Sequence, residues 1–70
     1  MKCTLAFGGF QETPEKYKSV GAAQEEYLRV ARQLANYGQT MDAAIYLEGS
    51  EEPDYVLSLT AKGNLKSERV

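Results

Sequence analysis

The chain reads as a small α+β domain of two layers, in the order βαββ with an optional last strand and one amphipathic helix on one face of an antiparallel or mixed sheet. Three patterns point there. Residues 2–7 alternate in polarity, the stretch between Ser19 and Gly38 repeats its apolar residues every three to four positions, and residues 41–60 alternate twice around a turn-rich stretch. The 70 residues make a single domain, 1–70. A chain of that size buries only about 60% of its unfolded surface, so a second copy of the chain is an expected source of further stability.

In the first strand Cys3, Leu5 and Phe7 share one face and Lys2, Thr4 and Ala6 the other. The following GGFQETPEKYK has no sustained period, and Pro14 disfavours helical geometry at Thr13, so it reads as a connecting loop. Ser19 is the expected N-cap and Gly38 the expected C′ residue. Between them Ala23, Tyr27, Val30, Ala31 and Leu34 form the buried stripe, and Glu25 with Arg29 makes an i, i+4 pair. The second strand, MDAAIYLE, sends Met41, Ala43, Ile45 and Leu47 inward and Asp42, Ala44, Tyr46 and Glu48 outward. After the turn residues of GSEEPD, the third strand YVLSLT sets Tyr55, Leu57 and Leu59 inward, forming an antiparallel hairpin with the second. A bend at AKGN then lets LKSERV return as an edge strand or a frayed end.

The side-chain inventory excludes much chemistry. There is no histidine, which removes the commonest general base and the Ser-His and Cys-His nucleophile pairs. One cysteine, Cys3, supplies neither an internal disulfide nor a zinc site, and fits a reducing cytoplasm as a small buried apolar residue. Glu48, Glu51, Glu52 and Asp54 crowd EGSEEPD without the spacing of a calcium loop, so they read as a solvated acidic turn offered to a partner. No enzyme, metal or cofactor is expected. The Gly8–Gly9 pair lacks the further glycines and the adjacent helix of a phosphate loop and reads as a bend. Ten acids against eight bases give a net charge of −2, which argues against direct nucleic-acid binding. MKCTLAFGGF reads as neither a signal peptide nor a membrane span.

The sheet face opposite the helix carries Thr4, Ala6, Ala44, Tyr46, Val56, Ser58 and Thr60, with no lysine or glutamate in that set. A solvated face is usually more charged, so this one reads as built for contact. The candidate interface is Phe10, Ala44, Tyr46, Val56 and Ser58, with Tyr46 the foremost because a tyrosine adds large contact area at low entropic cost.

The ending EPDYVLSLTAKGNLKSERV, residues 52–70, resembles the C-terminal hairpin of small phage- and prophage-encoded accessory proteins, although AKGN carries less glycine and arginine than their turns. The resemblance implies a compact protein of a mobile element that binds a host component, as inhibitors of bacterial defence do, and it assigns no site residue. Taken together, the expectation is a non-enzymatic cytoplasmic protein that binds a host protein as an inhibitor or adaptor and works as a homodimer. The alternative is a small-ligand or nucleotide sponge formed between chains.

Overall fold

In a computed structural model, the backbone is described for residues 2–8, 11–12 and 16–70, and the side chains for all of these except Gln11 and Glu12. Six elements follow in order: β1 (Cys3–Phe7), β2 (Gln11–Glu12), α1 (Val20–Ala35), β3 (Ala43–Leu47), β4 (Tyr55–Leu59) and β5 (Leu65–Arg69). The strands form one sheet in the order β2-β1-β3-β4-β5, and every neighbouring pair is antiparallel. The chain is therefore α+β and two-layered, with α1 packed across β1, β3 and β4.

Helix α1 begins and ends where its sequence dictates. Ser19 Oγ accepts the Ala22 N–H at 3.2 Å, satisfying one of the amides left over in the first turn. At the other end Gly38 takes φ +74, and the N–H groups of Gly38 and Gln39 donate to the carbonyls of Ala35 and Leu34, both at 3.0 Å. This is the Schellman arrangement, which needs a residue at ease with positive φ.

The helix reaches the sheet through Ala23, Tyr27 and Ala31, all buried and spaced i, i+4, i+8. Two alanines let the helix sit close, and Tyr27 fills the space between. Its ring stacks on Phe7 with centroids 6.1 Å apart, and its hydroxyl donates to the Met41 carbonyl at 2.7 Å. Below lie Cys3, Leu5, Ala43, Ile45 and Leu57, flanked by the half-buried Tyr17, Val20, Leu47, Tyr55, Leu59 and Leu65. Gln24 Nε2 donates to Ser67 Oγ at 3.0 Å, tying the helix to β5.

Several expectations need correction. Val30 and Leu34 are half-buried, because Val30 lies about 60° around the helix from Tyr27 and Leu34 falls in the last turn. Met41 is 37% exposed and precedes β3, where its backbone rather than its side chain serves the core. Arg29 pairs with Glu26 instead of Glu25, with Nε and Nη2 donating to the two carboxylate oxygens at 2.6 and 2.9 Å, a fork that one carboxylate satisfies at i, i+3. That contact holds the Glu26 carboxyl below its ordinary range. The stretch read as a plain loop carries β2, with Gln11 opposite Phe7, and an isolated bridge from Tyr17 to Cys3 whose two backbone bonds measure 2.8 and 3.0 Å. These contacts are made by backbone groups, which leave little periodic signal in side-chain polarity. Of the two readings offered for LKSERV, Leu65–Arg69 is the edge strand.

Candidate functional site

The side of the sheet away from α1 can be read off the register. One row across it runs Ala6, Ala44, Val56, Glu68, each opposite the next. Thr4 faces Tyr46 in a second row, and Ser58 faces Lys66 in a third. The centre of this face is uncharged, and its β5 side carries Lys66 and Glu68.

Five residues were expected to form the interface, and the structure separates them. Val56 is 40% exposed, while Tyr46 and Ser58 are half-buried. Ala44 is only 8% exposed and Ala6 only 1%, although no helix covers them. Both methyls are therefore covered on that side, and neither offers appreciable contact area. The face presents less apolar area than its composition suggests, with Val56 exposed and Tyr46 half-buried. Phe10, the fifth candidate, lies outside the described residues, as does Gly9. Gly8 takes φ +62, and its N–H donates to the Asp42 carbonyl at 3.0 Å, so it is not free to meet an anion.

The acidic turn is divided in the same way. Glu48, Glu51 and Glu52 are exposed. Asp54 is half-buried, and its Oδ2 accepts the Leu47 N–H at 2.9 Å beside Pro53, which has no N–H of its own. Asp54 therefore closes the β3–β4 hairpin. Gly49 supports the same turn, with φ +87 at the third position of a bend in which the Ser50 N–H donates to the Leu47 carbonyl at 3.0 Å.

Tyr46, Glu48 and Glu51 meet in a groove of about 440 Å³ at the end of β1 and β3. Lys2 and Lys16 line it too, so the acids there face bases rather than forming a purely negative surface. Neither lysine was singled out from the sequence, because Lys2 is set beside Glu48 by the pairing of β1 with β3, and Lys16 is brought in by the Tyr17–Cys3 bridge. Glu51 and Glu52 also border a shallower depression with Pro53, Asp54 and Val70. Among the described residues no three acidic or thiol side chains gather as a metal would require. Nor is any helix among them long and apolar enough to cross a membrane.

Cys3 is buried, and its Sγ donates to the Ser19 carbonyl at 3.3 Å, joining β1 to the start of α1. Burial pushes its thiol pKa up, the reverse of what a reactive thiolate needs. The native protein is expected to react with Ellman's reagent at pH 8 far more slowly than a free thiol, and the rate should rise to the free-thiol value in denaturing urea. Rapid native reaction would contradict the burial.

Compared with family models, with curated proteins and with solved structures, the chain matches none, so the reading of function rests on this geometry.

Proposed function

We propose that the chain is a non-enzymatic protein-binding module that presents the open face of β1, β3 and β4 to a partner protein, in the manner of an inhibitor or adaptor. The observation that carries this reading is the one-sided cover of the sheet. α1 packs on one side of β1, β3 and β4, and the other side keeps an uncharged centre with Val56 40% exposed and Tyr46 half-exposed. Such a surface suits a flat protein partner because Val56 and Tyr46 supply area that can be desolvated without burying a charge. Lys66 and Glu68 at the rim would set orientation more than affinity.

The test uses affinity capture from candidate host extracts, identification of the captured protein, and reconstitution of the complex from two purified components. Tyr46→Arg and Val56→Arg are each expected to weaken the reconstituted complex at least about tenfold, the loss of more than about 1.4 kcal/mol, with circular dichroism unchanged. Arg32→Glu, on the exposed side of α1, is the control expected to leave it intact. A complex indifferent to both open-face changes, or one broken by Arg32→Glu alone, would contradict the assignment of the surface.

A further inference from the structure

The longer edge of the sheet is β5, and its hydrogen-bonding phase follows from the ends of its ladder with β4. The Val70 N–H donates to the Asp54 carbonyl at 3.0 Å, and the Thr60 N–H donates to the Asn64 carbonyl at 2.8 Å. In an antiparallel pair such bonded positions alternate. The backbone groups of Lys66 and Glu68 are therefore turned toward β4, and those of Leu65, Ser67 and Arg69 point away from the sheet. Among the described residues nothing is hydrogen-bonded to that outer side.

The side chains of the same strand carry a second pattern. Lys66 and Glu68 project together on the open face, where Nζ and Oε1 lie 3.2 Å apart, and both are well exposed. Charges on an edge strand ordinarily deter pairing with another edge. Two opposite charges two residues apart discriminate among the two-fold registers centred on Lys66, Ser67 and Glu68. A pairing centred on Lys66 sets Lys66 against its own copy, and one centred on Glu68 sets two carboxylates face to face. Centred on Ser67, an antiparallel pairing places each Lys66 opposite the other chain's Glu68. That is the closely spaced, non-hydrogen-bonded position, where cross-strand side chains interact most. The same register joins Ser67 to Ser67 and Leu65 to Arg69, which satisfies all three outward N–H groups and all three outward carbonyls of each strand.

We infer that the chain self-associates through β5 as an antiparallel, two-fold dimer centred on Ser67, joining two sheets into one of ten strands. Gln24, hydrogen-bonded to Ser67 Oγ at 3.0 Å, holds the centre of that edge in place. The inference uses the edge of the sheet and is independent of what the open face binds. It extends that face, since both copies present their open sides to the same side of the joined sheet.

Sedimentation equilibrium over a dilution series tests it. The unaltered chain is expected to move from one to two copies with rising concentration, and added salt should shift the midpoint upward because the four facing charges are exposed. Ser67→Pro removes an outward N–H and the hydroxyl bonded to Gln24 while leaving the β4 ladder intact, and is expected to remain monomeric with unchanged circular dichroism. Lys66→Glu and Glu68→Lys should each raise the dissociation constant about tenfold or more, through like charges at both facing positions. Mixed together, those two variants should pair with one another, since the Ser67-centred register then sets opposite charges at every facing position. A chain that stays monomeric throughout, a dimer that survives Ser67→Pro, or single variants that fail to pair on mixing would each overturn the inference. A dimer broken by Val56→Arg but not by Ser67→Pro would overturn it in favour of face-to-face stacking.

Discussion

Replacing Tyr27 by alanine is expected to leave the chain largely unfolded at room temperature, seen as loss of the cooperative urea transition. Tyr27 is fully buried and is the largest side chain in the core. Truncating a buried aromatic costs about 3–5 kcal/mol, and a domain of this size seldom has more than about 3–5 kcal/mol in reserve. The loss is magnified because Ala23 and Ala31, one turn to either side, have no reach with which to refill the space. Tyr27→Phe separates the ring from its hydroxyl. It keeps the stacking on Phe7 and loses the bond to the Met41 carbonyl, for about 1 kcal/mol. A folded, fully cooperative Tyr27→Ala protein would show that the helix is not held by this side chain.

The same residue produces a dependence on pH. Burial first, and the charge of Asp42 second, raise the Tyr27 phenol above its ordinary pKa. The folded state then keeps a proton that the unfolded chain releases. Its contribution to stability is intact below about pH 10 and is lost as the pH climbs from there through the folded value. Cys3, also raised, adds a fall with the same sign from about pH 8.5. Urea midpoints should therefore decline in alkali, and Tyr27→Phe should flatten the part of that decline above pH 10.

Adjacent residues of β4 are expected to differ sharply. Leu57 is completely buried under α1, so Leu57→Ala should cost about 2–5 kcal/mol. Val56, one position earlier, points to the open face. Val56→Thr keeps the branching that suits a strand and should change stability by no more than about 0.5 kcal/mol. Urea unfolding of both variants reads the difference. Similar costs at the two positions would mean that the open face is covered by something within the chain, and the binding surface assigned here would be lost with it.

The periodic elements of the fold were legible because side-chain polarity records them. Cys3, Leu5 and Phe7 against Thr4 and Ala6 announce a strand, and Ser19 and Gly38 bracket α1 through capping chemistry that the structure displays bond by bond. What backbone groups do to one another was not legible. The strand order, the short β2 and the Tyr17–Cys3 bridge are carried by main-chain pairing that many side chains permit. The open face shows the same limit. Its membership follows from alternation, yet the burial of Ala6 and Ala44 and the meeting of Tyr46 with Lys2 and Lys16 depend on what the tertiary fold brings beside them. Asp54 gave no sign in its acidic run that its carboxylate would cap a strand, because that role depends on the Leu47 amide across the hairpin. The outward phase of β5 is likewise set by the two bonds at the ends of its ladder.

The central claim is that one helix covers one side of the sheet and leaves the other for a partner. It is tested most directly by methyl relaxation in the presence of a soluble paramagnetic probe. The methyl groups of Val56 and Thr60 should broaden strongly, while those of Leu5, Ile45 and Leu57 stay sharp. Equal protection of Val56 and Leu57 in the isolated chain would contradict the claim.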